Sequence, residues 1–264
     1  GLRKENNLIG LLSFWCGECA LIGNRLGQRF NIKHHCWIQG QDAKKDNRYV
    51  KRIRPDANDL IAISDFIQLE FERNHYIKPG HMIPPGIDTR LFSKESVEKD
   101  IDILGAGSLI SLKQYDVFLH VVYEIKKQLP GIKVVLCGKG PEQMILQKRI
   151  NEFMLDDTVL LTGELPHHEV LHYMQKTRVF LHPSSYEGFS GVCMEALYTG
   201  AHVISFIRPM NDEIKNWHIA NSQEMMMQKA IDLLQSPQTR YDSVLSFSME
   251  DSVKAVMQLF TIKK

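Results

Sequence analysis

The chain reads as an α/β protein with mostly parallel sheets, arranged as two Rossmann-like domains of which the first is incomplete. Three observations lead there. Strand-like and helix-like segments alternate throughout its 264 residues, the pattern of chained βαβ units. Strands such as Arg178–His182 and Val134–Cys137 are continuous apolar runs, as strands covered on both faces must be. Between residues 81 and 92, two prolines and a glycine (Pro84, Pro85, Gly86) punctuate the chain, and the charged run Ser93–Lys99 follows. Such a run cannot be core, so a boundary belongs there.

The elements follow in order. Before the boundary, strands are expected at Ile9–Phe14, His34–Ile38 and Leu60–Ser64, with helices between them. Ser64 or Asp65 suits the cap of a helix over Ile67–Arg73. Three strands are too few to bury both faces of a sheet, so residues 1–86 read as the back half of a domain whose opening strands are absent. After the boundary come strands at Asp102–Gly105, Lys133–Cys137, Val159–Leu161, Val179–His182 and His202–Ser205, a full doubly wound set within residues 87–247. Helices are expected at Tyr115–Gln128 and Gln223–Leu234, where Met225, Met226 and Met227 read as core. Pro141 suits a first helical position, Pro183 stops a strand, and Gly200 closes a short helix. A last helix, in residues 248–264, has Ser248 as cap with Asp251 three residues on.

Composition narrows the function classes. A net charge of +1 carries no nucleic-acid signature. The balance is uneven: residues 1–86 hold 13 Lys+Arg against 9 Asp+Glu, the remainder 19 against 22. No apolar run approaches the roughly 18 residues of a membrane span, and no signal-peptide pattern is visible, so a cytoplasmic place is expected. Five cysteines in ordinary globular sequence suggest reduced thiols. Cys16-x-x-Cys19 with His34, His35 and Cys36 matches no common zinc spacing, and His34 and His35 read as strand histidines. Lys44, Lys45, Arg48, Lys51 and Arg52 recur at helical spacing, either as a solvated helix face or as a peripheral contact with anionic lipid.

The densest signal is Ser184-Ser185-Tyr186-Glu187-Gly188-Phe189-Ser190-Gly191-Val192-Cys193-Met194-Glu195. Glu187 falls on a loop at the carboxyl end of a strand, where open α/β sheets bind ligands. The Gly-rich turn frees backbone N–H groups at a helix start, a place suited to phosphate. Glu195, one turn into that helix, can accept from two neighbouring hydroxyls, as on a ribose. Upstream, Gly105-Ala106-Gly107-Ser108-Leu109-Ile110-Ser111-Leu112-Lys113 presents a lysine on another loop after a strand. Cys137-Gly138-Lys139-Gly140-Pro141-Glu142 and Thr162-Gly163-Glu164-Leu165 are two further strand-to-turn passages.

The two glutamates resemble the Glu-x7-Glu motif of retaining glycosyltransferases of the GT-B fold, family four (group 1). Lys113 is similar to the lysine of that family's Gly-Arg-Leu-x-x-x-Lys-Gly stretch, while Ser108 stands where the family usually has Arg. The resemblance spans residues 36–257 and implies a GT-B type fold: 1–86 as the acceptor-side domain, 87–247 as the donor domain, and 248–264 crossing back to the first. It implies transfer of a sugar from a nucleotide diphosphate sugar to a hydroxyl acceptor, glycan or lipid-linked, with retention. Glu187 and Lys113 would be catalytic. Ser108, Lys113, Gly138, Gly163, Leu165, Gly188, Phe189, Ser190 and Glu195 would bind the donor. Gln39 takes the place of a family histidine on the acceptor side. The family needs no metal and no cofactor, since the nucleotide sugar is substrate. The short first part leaves open a non-catalytic sugar-nucleotide module, or half of a two-chain transferase whose partner completes the first domain, at the inner face of a membrane or free of it.

Overall fold

A computed structural model describes residues 8–261 apart from 94 and 96. Lys94 and Ser96 of the charged run, and the ends of the terminal segments, lie outside the described residues. The chain forms two compact units. Unit 1 takes the residues up to Gly86, with Pro209–Asn211 and the tail from Phe247; unit 2 takes Ile87–Arg208 and Asp212–Ser246.

Unit 1 is a four-stranded, wholly parallel sheet in the order β1 (Leu11–Phe14), β2 (His34–Ile38), β3 (Leu60–Ala62) and β4 (His81–Met82). Its helices are α1 (Glu18–Phe30), α2 (Arg48–Ile53) and α3 (Asp65–His75), and the tail adds α9 (Met249–Phe260). β4 lies where the proline-rich boundary was expected. It has two residues, too short for a periodicity to show. β3 stops at Ala62 because Ser64 turns out of the sheet to cap α3, accepting from the Ile67 N–H at 3.1 Å. Pro209–Asn211 joins at that helix start, where the Phe66 N–H donates to the Pro209 carbonyl and the Asn211 N–H to Asp65. Ser248 caps α9, accepting from the Asp251 N–H at 3.0 Å. Its path crosses Gly86 so closely that a Cβ there would lie 2.1 Å from the Ser248 carbonyl carbon. Phe260 then packs edge-on against His35, whose ring is buried in the strand.

The five basic residues do not share one helix face. α2 begins only at Arg48, because Asn47 caps it, and Lys44 and Lys45 fall in the preceding turn. All five cysteines are free thiols.

Unit 2 is a six-stranded parallel sheet ordered β10-β9-β8-β5-β6-β7: β5 (Ile101–Ala106), β6 (Val134–Cys137), β7 (Val159–Gly163), β8 (Thr177–His182), β9 (His202–Ser205) and β10 (Trp217–Ile219). In chain order this is the doubly wound arrangement, growing first to one side of β5 and then to the other. The helices are α4 (Tyr115–Gln128), α5 (Gln143–Glu152), α6 (His167–Gln175), α7 (Gly191–Tyr198) and α8 (Gln223–Gln235). Strand residues alternate between two cores. Val134, Leu136, Val179 and Leu181 pack with α4, α5 and α8, while Val135, Cys137 and Phe180 pack with α6 and α7. Met226 is buried in the first of these cores, but Met225 is exposed. α5 starts at Gln143, two residues after Pro141, because a turn at 141–142 intervenes. Among the described residues, no helix is long and apolar enough to cross a membrane.

Candidate active site

β5 and β8 are neighbours in the sheet, yet the chain leaves β5 for β6 and returns to β8 on the other side. Loops leaving such a pair diverge, opening a crevice at the strands' carboxyl ends. Glycines set the shape of the loops there. Gly107 and Gly138 have φ near +150°, and a Cβ on Gly138 would lie 1.9 Å from the Gly107 carbonyl oxygen. The loops after β5 and β6 therefore stack backbone on backbone, which only glycine allows. The Gly138 N–H donates to the Gly163 carbonyl at 2.9 Å, binding in the loop after β7. The Gly138 N–H is thereby taken up within the protein. On the other side, the Ser185 N–H and hydroxyl both donate to the Leu112 carbonyl, at 3.0 and 3.2 Å, joining the β8 loop to the β5 loop.

That joint brings Lys113 to Glu187. Lys113 ends a short 3-10 turn, Ser111–Lys113, and Gln114 beyond it takes a left-handed conformation, φ 50°, that redirects the chain into α4. The Lys113 ammonium lies 2.5 Å from Glu187 Oε2, with both side chains about four-fifths buried. His182, the last residue of β8, places Nε2 3.1 Å from the same oxygen, and Ser184 Oγ lies 3.1 Å from Nε2. Burial works to raise the Glu187 pKa, but the His182 hydrogen bond and the Lys113 charge prevail and bring it down to about 2. Burial pushes the His182 pKa down, keeping the ring neutral. A neutral ring protonated on Nε2 donates to the carboxylate and holds it in place.

Glu195 has different surroundings. It is the fifth residue of α7, and its Oε1 lies 2.9 Å from His167 Nε2 at the start of α6. Burial raises its pKa, with His167 opposing. Ser190 caps α7 through its backbone only, so no side chain occupies the N–H groups of the first turn. A Cβ on Gly191 would meet open space. Phe189 is buried with its ring edge-on to Trp217, 5.9 Å between centroids, which anchors the Gly188–Ser190 turn. Leu165 packs partly against the α6–α7 core, and Ser108 is exposed on the β5 loop. Gln39 belongs to unit 1, where it caps a 3-10 turn; its N–H donates to Asp42 Oδ2 at 2.8 Å.

Asp100-Ile101-Asp102 has the spacing of a metal-binding pair but lies at the amino end of β5. Asp102 accepts from Arg178 and from the Lys133 N–H, each at 2.9 Å, so it serves the sheet. His182 and His167 are the residues that motif reading passes over. His182 looks like an ordinary strand end, and His167 is 28 residues from the glutamate it meets.

The site thus brings together the Lys113 ammonium, the firmly ionised Glu187, Glu195 with its raised pKa, and a helix start capped by backbone alone. The family is shown directly: the chain belongs to the group 1 glycosyl transferases, which match residues 87–242 and use nucleotide sugars. It is 27% identical over 203 residues to the phosphatidylinositol N-acetylglucosaminyltransferase gpi3 subunit of Schizosaccharomyces pombe, covering 74% of this chain and 44% of that protein. Its fold is similar to that of S. aureus TarM with fondaparinux, alpha-GlcNAc-glycerol and UDP (TM-score 0.72, 16% identity, 91% of this chain and 54% of that one). It is also similar to the pneumococcal O-GlcNAc transferase GtfA with UDP and GlcNAc (TM-score 0.65, 17% identity, 98% and 57%). These are GT-B glycosyltransferases, and the fold here is of that type. The chain spans about half the length of these relatives.

Proposed function

We propose that the chain carries the donor site of a retaining glycosyltransferase that moves a sugar from a nucleotide diphosphate sugar to a hydroxyl acceptor. The observation that carries this reading is the Lys113–Glu187 pair joined across the β5–β8 crevice. A diphosphate entering the crevice would meet the Lys113 ammonium and the free N–H groups at the start of α7. Glu195 would accept from the ribose hydroxyls, displacing His167. As the bond between the anomeric carbon and the phosphate oxygen breaks, negative charge builds on the diphosphate and Lys113 neutralises it. Positive charge builds on the sugar, and ionised Glu187 offsets it. The acceptor oxygen forms the new bond and its proton passes to the departing diphosphate. With Lys113 supplying the cation, no metal is required.

UDP in the two structural relatives and the N-acetylglucosaminyl transfer named for the fission yeast subunit favour UDP-N-acetylglucosamine as donor. A second reading is supported by the exposed Ser108 and by the fission yeast relative being named as a subunit: a donor-binding module, or half of a two-chain transferase completed by a partner. Early-time proton NMR of UDP-N-acetylglucosamine with the protein, water serving as acceptor, separates the readings. Release of α-configured sugar is expected. A β product would overturn retention, and UDP binding without turnover would select the second reading. An epimerised donor would point to a nucleotide-sugar epimerase.

A further inference from the structure

Unit 1 holds a cavity of about 510 Å³ lined by Lys45, Val50, Lys51, Arg54 and Pro55 on one side and by residues 74–77 on the other. Its position follows from the chain path. α2 ends at Ile53 before the chain turns into the start of β3, and α3 ends at His75 before the start of β4. All strand pairs are parallel, so both helices finish beside the amino ends of the strands. The cavity is therefore at the opposite end of the sheet from the carboxyl ends, where α/β sheets take their substrates.

Its wall is fixed by Asn74 and His75. Asn74 Nδ2 donates to the Ala43 carbonyl at 2.8 Å, and His75 Nε2 lies 3.1 Å from the Asp42 carbonyl. Its charge comes from Lys45, Lys51 and Arg54, all exposed. Among the described residues, none of these three side chains has an ion pair or hydrogen bond, and no carboxylate lines the cavity. Two helix carboxyl ends would attract cations, but each carries only about half a negative charge. Three full positive charges exceed that. At the rim, Tyr76 is 92% exposed, held out by a left-handed backbone with φ 59°. An exposed tyrosine beside unpaired cations suits the interface of an anionic membrane, where the ring sits at headgroup level. Residues 1–86 also carry the chain's excess of basic residues, 13 against 9 acidic.

We infer that this cavity binds a phosphate group presented by an anionic lipid headgroup, independently of the donor crevice. The contact is made by a pocket and not by the α2 face alone: Lys45 and Arg54 join Lys51 in it, while Arg48 and Arg52 do not line it.

The test compares wild type, Lys51→Ala/Arg54→Ala and Arg25→Ala in flotation with phosphatidylcholine vesicles, with and without phosphatidic acid. Inorganic pyrophosphate is titrated in parallel. Arg25 is an exposed cation of α1 that does not line the cavity. Binding is expected only to the phosphatidic acid vesicles, weakened roughly 30-fold in the double variant and less than about fivefold in Arg25→Ala. UDP affinity, measured on the same samples, should not change. Equal binding by all three proteins, or none by wild type, would overturn the site. Pyrophosphate binding without vesicle binding would overturn the lipid assignment.

Discussion

The two ends of the Glu-x7-Glu motif lie in opposite surroundings. Glu187 is clamped between the Lys113 ammonium and a neutral buried His182, and its pKa falls to about 2. Glu195 is also largely buried, but its partner His167 is half exposed and its pKa is raised. Under the proposed function, the same residue type would take two tasks. A carboxylate held ionised and immobile suits charge developing at a reacting carbon. One whose single partner can swing away suits a ligand's hydroxyls. Environment, not residue identity, separates the ionisation of the two carboxylates.

The largest expected effect comes from removing the cation on one side of that contrast. Lys113→Ala should lower kcat roughly 10²–10³-fold, because it takes away both the counter-ion of Glu187 and the charge facing the diphosphate. Steady-state kinetics at saturating donor would show it. Next is the acid dependence of stability. The folded pKa of Glu187 is depressed, so its contribution is fully present above the unfolded pKa near 4.5 and is lost as pH falls toward about 2. Urea unfolding of wild type and Glu187→Gln should differ by at most roughly 3 kcal/mol at neutral pH. The two curves should converge as pH drops from about 4.5 to about 2. A difference independent of pH would mean that the Lys113–His182 clamp does not act through ionisation. The smallest effect belongs to His167→Ala. Losing an exposed histidine should move stability by less than about 0.5 kcal/mol, and UDP affinity should hold or rise, since Glu195 is then unoccupied.

Much of this was legible in the sequence. The alternation of buried runs with helices defines the doubly wound unit; Glu187 and Lys113 stand out by residue type at loop positions after strands, and Glu195 one turn into the helix that follows. Local pattern could not supply the rest. β10, Trp217–Ile219, is three residues long and follows an irregular stretch, so it has no periodicity to read. Gly138 reads from sequence as a nucleotide-pocket residue, yet it is required because another loop's carbonyl packs where its side chain would be. The basic residues 44–52 have helical spacing, but Asn47 starts the helix late and splits them. His182 and His167 gain their meaning only from partners that the fold delivers.

The most direct test of the division between the two carboxylates is calorimetric titration of UDP, without metal, into wild type, Glu195→Gln and Glu187→Gln. If Glu195 grips the ribose and Glu187 serves the sugar, Glu195→Gln should weaken UDP binding roughly tenfold or more, the loss of a charged hydrogen-bond acceptor. Glu187→Gln should leave it within about threefold, since UDP lacks the sugar that Glu187 is placed to meet. Equal losses in both variants, or no loss in Glu195→Gln, would contradict that division.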